Sequence, residues 1–103
     1  MILTNARLIL ADGVADGLAV VCHDGKITAV QPTEVSAGGE KIDLRGNFLA
    51  PGFIDLHLHG ALGRDTMEGT PEAFRAICDY HASGGTTSLL LTTATAPMAE
   101  IVH

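Results

Sequence analysis

From Pro51-Gly52 onward the sequence spells strand, helix and strand in a little over forty residues, and this order restricts the folds open to it. Phe53 to His59 is an apolar run interrupted only by Asp55, His57 and His59, which reads as a strand suited to burial on both faces. Gly60 to Gly69 reads as a glycine-bearing loop. Thr70-Pro71-Glu72 then supplies helix-start chemistry: a hydroxyl N-cap, a proline at the first helical position and an acid in the first turn. Phe74, Ile77, Cys78 and His81 follow at i, i+3, i+4 and i+7, one apolar stripe, and Gly84-Gly85 ends the helix. Thr86 to Thr93, with Ser88-Leu89-Leu90-Leu91 at its centre, reads as a buried strand. The spacing predicts a βαβ unit with parallel strands and a right-handed crossover. Thr95-Ala96-Pro97 resembles another helix start, with Met98 to His103 as its first turns. Parallel pairs need further strands and covering helices, so the unit reads as the start of a larger α/β layer structure.

The first fifty residues use a different grammar. Ile2 to Leu10 alternates loosely and stops at Ala11-Asp12-Gly13. Leu18 to Cys22 and Lys26 to Val30 flank His23-Asp24-Gly25, and Asp-Gly between two β-rich runs is a strong hairpin signal. Gln31 to Glu40 reads as a loop and Lys41 to Leu44 as a short strand. A small antiparallel β module over residues 1–50 is expected, followed by the βαβ segment over 51–103.

Apolar residues make up 47% of the 103 residues and charged residues 17%, which favours a folded chain over a disordered one. A formal charge of −6 argues against nucleic acid or an anionic membrane as partner, since both call for clustered Lys and Arg. Cys22 and Cys78 form no CxxC pair and behave as small hydrophobes suited to a reducing cytoplasm. No run approaches the ~18 apolar residues of a membrane helix.

The residues best suited to chemistry lie in Asp55-Leu56-His57-Leu58-His59-Gly60. Alternate side chains of a strand share a face, so His57 and His59 lie together and Leu56 and Leu58 lie opposite. Two imidazoles at the carboxyl end of a βαβ strand make half of a divalent metal site, the usual place for ligands in such folds. The bland alternative is a pair of hydrogen-bonded strand histidines. Asp55, one pleat deeper, either orients an imidazole or is a carboxylate satisfied by backbone donors. Arg64 and Asp65, in the loop after the strand, are candidates for substrate contact, with Arg64 able to meet a phosphate; an ordinary surface arginine is the alternative. His81 reads as a helix–sheet contact, His23 as a turn residue, and Thr92 and Thr93 as hydrogen-bonding residues at a strand end.

Pro51-Gly52-Phe53-Ile54-Asp55-Leu56-His57-Leu58-His59-Gly60 closely resembles the first barrel strand of the amidohydrolase superfamily, and Ile42 to Ala50 resembles the segment leading into it. Gly60 to Glu68, Gly85-Thr86-Thr87-Ser88 and Leu91-Thr92-Thr93 resemble the N-acetylglucosamine-6-phosphate deacetylase branch. The resemblance implies a (β/α)8 barrel with a small β-sandwich domain, residues 1–50 contributing to the sandwich and 51–103 beginning the barrel. It implies a divalent ion, zinc by the simplest choice and iron, cobalt, manganese or nickel otherwise, held in part by His57 and His59. The implied reaction is hydrolysis of an acetamide to acetate and a free amino-sugar phosphate. The family's remaining ligands and its general acid/base aspartate come from later strands, so no catalytic acid/base is expected within this sequence. The chain then reads as an N-terminal portion, inactive by itself, whose open strands favour a homo-oligomer or swapped assembly. Other readings are a cyclic amidase, dihydroorotase-like or imidazolonepropionase-like, and a non-catalytic scaffold.

Overall fold

The computed structural model describes residues 1–35 and 38–102. Ser36 and Ala37, within the expected 31–40 loop, and His103 lie outside the described residues. The fold is mostly β-strand with few helices and divides into two compact units, Met1–Pro51 and Gly52–His103.

In the first unit, β1 (Ile2–Thr4), β2 (Arg7–Leu10), β3 (Gly13–Ala15), β4 (Leu18–His23), β5 (Lys26–Pro32), β6 (Lys41–Asp43) and β7 (Phe48–Leu49) form two sheets, ordered β5-β4-β1-β6 and β3-β2-β7. The β4–β5 hairpin closes at His23 opposite Lys26. Asp24 and Gly25 both take positive φ, 49° and 72°, as a type I′ turn requires. Ile2 to Leu10, expected as one strand, is two. Asn5 adopts a left-handed φ of 53° and anchors there by donating from Nδ2 to Asp43 Oδ1 at 2.8 Å.

The module is not purely antiparallel as expected: β6 pairs with β1, and β7 with β2, in parallel. The cause is a bend shared by two distant segments. Arg45 and Gly46 take positive φ beside Asn5, and Gly46 N–H donates to Asn5 C=O at 2.7 Å, so residues 41–49 follow 2–8 around the corner. The core is aliphatic: Ala6, Leu8 and Val20 are buried, with Leu3, Leu18, Cys22, Leu44 and Leu49 packed against them.

The second unit contains β8 (Phe53–Leu58), a small antiparallel pair β9 (Gly60–Ala61) and β10 (Arg64–Asp65), helix α1 (Pro71–Ser83), β11 (Thr86–Leu91) and a one-turn helix α2 (Met98–Ile101). Strands β8 and β11 pair in parallel. Helix α1 begins at Thr70, whose hydroxyl accepts from Ala73 N–H at 3.2 Å. It buries Ala73 and Ile77 completely and half-buries Phe74, Cys78 and His81, so the expected apolar stripe faces inward, with Ala73 added to it.

The expectation that both strands are buried is corrected. Leu58 is buried, but Phe53, Ile54 and Leu56 are 70%, 68% and 67% exposed, and Leu90 is 58% exposed. Alternation reports that a face is apolar without reporting what covers it, and one helix cannot cover both faces of a two-stranded sheet.

Candidate metal centre

Strand β8 ends at Leu58, and His59 follows immediately. The Leu58 side chain is buried, while both flanking histidines remain exposed. The imidazoles converge: His57 Nε2 and His59 Nε2 are 3.0 Å apart, with ring centroids 4.8 Å apart and planes inclined by 75°. One ring N–H donating to the other ring's lone pair satisfies this distance. So does a shared cation, since two nitrogens ~2.0–2.1 Å from one ion, at angles of about 90–110°, are about 2.8–3.4 Å apart. The pair therefore fits a divalent ion by donor chemistry and separation. Among the described residues, no group of three or more His, Cys, Asp and Glu side chains gathers in a metal-binding arrangement. Asp55 Oδ1 accepts the backbone N–H of His57 at 3.1 Å, which orders the main chain beneath the first imidazole.

The segment after His59 is held unusually closely. A Cβ added at Gly60 would overlap the carbonyl oxygen of Arg64, because β9 and β10 pair Asp65 with Gly60. Gly60→Ala is expected to destabilise the chain by about 1–3 kcal/mol through this overpacking against backbone. Urea unfolding of the variant checks it, and an unchanged midpoint would contradict the close approach.

Arg64 and Asp65 are engaged in local structure. Arg64 grips Glu68 with two contacts, Nε to Oε1 at 3.1 Å and Nη2 to Oε2 at 2.7 Å. Asp65 caps the 3-10 turn Thr66–Glu68: its Oδ1 accepts from Met67 N–H at 2.7 Å, and its own N–H donates to Glu68 Oε1 at 2.8 Å. The Asp65 N–H, then the Arg64 guanidinium, hold the Glu68 carboxyl below its ordinary range. This contribution is present above the ordinary glutamate value and lost as pH falls through the lowered one. Glu68 was not singled out from sequence, although Asp65-x-x-Glu68 is a capping-box signature.

His81 Nε2 lies 3.5 Å from Gly60 C=O, a long helix-to-loop contact. His23 sits by Asp24 in the exposed hairpin turn. Thr92 bonds across to β8: its N–H donates to Leu58 C=O at 2.7 Å, and its hydroxyl accepts from Leu58 N–H at 3.2 Å.

The fold of the chain recurs in a solved protein. The crystal structure of N-acetylglucosamine-6-phosphate deacetylase from Pasteurella multocida superposes with a TM-score of 0.88 at 35% identity, over 97% of this chain and 27% of that one. The chain is a homologue of the N-acetylglucosamine-6-phosphate deacetylases. The enzyme of that name from Lysinibacillus sphaericus is 35% identical over 95 residues, 92% of this chain and 24% of the relative. An N-acetylgalactosamine-6-phosphate deacetylase from Escherichia coli O157:H7 is 34% identical over 100 residues, 97% of this chain and 26% of the relative. Other matches bear the names allantoinase, 40% identical over 93 residues, and dihydroorotase, 32% identical over 79 residues. No protein-family model matches the chain. The chain spans about a quarter of the length of the deacetylases it matches.

Proposed function

We propose that this chain supplies the first two metal ligands, His57 and His59, of a hydrolase that removes the acetyl group from an N-acetylated amino-sugar 6-phosphate, N-acetylglucosamine 6-phosphate first. The observation that carries this reading is the convergence of the two Nε2 atoms to 3.0 Å just past the end of β8, in a chain so close to the deacetylase fold. A divalent ion held there would polarise the amide carbonyl and acidify the attacking water. Zinc is the first choice, and iron, cobalt, manganese and nickel suit imidazole comparably. The chain's own residues bind and orient. Asp55 fixes the main chain of His57, Gly60 permits the tight turn after His59, and the Asp65–Glu68 box orders the loop. Because Arg64 is paired with Glu68, recruiting it to a phosphate would require breaking that pair.

In this reading residues 1–50 are part of the small β-sandwich and 51–103 open the barrel. The apolar groove of about 160 Å³ in the first unit, with Ile9, Ile27 and Val30 on its lining, supports a sheet that further strands cover. Two free thiols support a cytoplasmic setting, and the net charge of −6 supports a small-molecule partner over nucleic acid. Among the described residues, no helix is long and apolar enough to cross a membrane.

The test is a chimera in which residues 1–103 replace the aligned quarter of the Pasteurella multocida enzyme. Metal-dependent release of acetate from N-acetylglucosamine 6-phosphate is the expected result, and a folded chimera without activity would sink the proposal. A chimera acting on a cyclic amide instead would favour the allantoinase-like reading. The 103-residue chain alone, with two imidazoles and no third ligand gathered among the described residues, is expected to be inactive. Its exposed Phe53, Ile54, Leu56 and Leu90 are expected to drive self-association. Sedimentation velocity checks this: a monodisperse monomer would contradict it.

A further inference from the structure

Thr66 is the one buried polar side chain among the described residues, 6% exposed, and nothing in the proposed chemistry uses it. One of its bonds goes to the backbone of His59 and the other to the backbone of Thr92. Thr66 N–H donates to His59 C=O at 2.8 Å, while its hydroxyl donates to Thr92 C=O at 2.6 Å. Thr92 in turn holds Leu58 on both sides, donating from N–H to Leu58 C=O at 2.7 Å and accepting Leu58 N–H on its hydroxyl at 3.2 Å. Three polar groups of the main chain around His59 (Leu58 N–H, Leu58 C=O and His59 C=O) are thus tied through two threonines. His59 lies beyond the last residue of β8, so the ordinary strand ladder does not fix it.

We propose that Thr66 and Thr92 are positioning residues that hold the His59 backbone so that its Nε2 stays beside that of His57. A short neutral hydroxyl suits this work. It satisfies a carbonyl in a buried position without placing a charge there. A ligand atom must be held within about 0.5 Å of its productive position, and the supporting hydrogen bonds do that. Removing such support around a ligand typically weakens metal binding by about 10–100-fold. The lower end is expected here, because the threonines act on backbone instead of on the imidazole.

The proposal rests on the reading of His57 and His59 as metal ligands, and one titration separates the two. Cobalt(II) is titrated into the protein and followed by its visible absorption, with far-UV circular dichroism recorded on each variant. Wild type is expected to develop a ligand-field band that His57→Ala removes. Thr66→Val, which keeps shape and deletes the hydroxyl, is expected to bind about ten-fold more weakly with altered band position, and Thr66→Ser to restore both. Rescue by serine separates positioning from packing. Thr66→Val titrating as wild type, while His57→Ala loses binding, would overturn the positioning role and leave the ligand reading intact. Equal titration of wild type and His57→Ala would overturn both. Should Thr66→Val fail to fold, Thr92→Val is measured instead. It removes the hydroxyl, which accepts Leu58 N–H and donates to Leu90 C=O, and unchanged cobalt affinity there would overturn the proposal.

Discussion

His57→Ala in the deacetylase chimera is expected to lower the rate of acetate release by more than 100-fold, and His59→Ala by a similar factor. The size follows from what each imidazole does. Changing a group that only supports a ligand typically costs about 10–100-fold in metal affinity or activity, so deleting the ligand itself must cost more. Both histidines are exposed in the isolated chain, so neither substitution leaves a cavity, and folding is expected to survive. That separates loss of chemistry from loss of structure. His23→Ala is the matched control, an exposed turn imidazole in the other unit, and is expected to leave turnover unchanged. Turnover surviving His57→Ala within a factor of a few would remove the pair from the reaction. The measurement is initial rate under saturating metal, with circular dichroism on each variant.

Ile77→Ala is expected to cost about 2–5 kcal/mol, the largest stability loss available in the second unit. Among the described residues Ile77 is the largest side chain with no exposed surface, and it sits one turn beyond the equally buried Ala73 on the inner face of α1. Few other residues of this unit are buried. Removing three carbons therefore strips much of what secures the helix, against a total stability of about 5–15 kcal/mol for an ordinary domain. Guanidinium unfolding followed by helix ellipticity checks it. A shift below about 1 kcal/mol, at the scale of an exposed substitution, would mean that α1 does not pack as described.

The parts of the fold that local chemistry decides were legible in the sequence. The Asp24-Gly25 turn needs two positive φ values, and both occur. Thr70, Pro71 and Gly84 mark the ends of α1 where they mark them in the sequence. The parallel pairing of residues 41–49 with 2–8 was not legible, because it depends on Asn5 meeting Arg45 and Gly46 across forty residues. Nor did the apolar character of Phe53, Ile54 and Leu56 reveal what faces them.

At the site, period-two alternation brought His57 and His59 to one face, and their nitrogens meet at 3.0 Å. By sequence Asp55 suits two roles, orienting an imidazole or meeting backbone donors, and its observed bond is to backbone. The reading of Arg64 and Asp65 as substrate contacts overlooked Glu68, which engages both of them. Thr66 carries no signal by residue type alone. Its part emerges only when the backbone groups of β8 and β11 are accounted for one by one.

The most direct test of the central claim, that His57 and His59 form half of a metal site already shaped by this chain, is a native mass spectrum recorded after zinc loading and buffer exchange. A species carrying one zinc per histidine pair, in any copy number, and losing it in His57→Ala is the expected result. A metal-free wild-type spectrum, or zinc retained in His57→Ala, would contradict it.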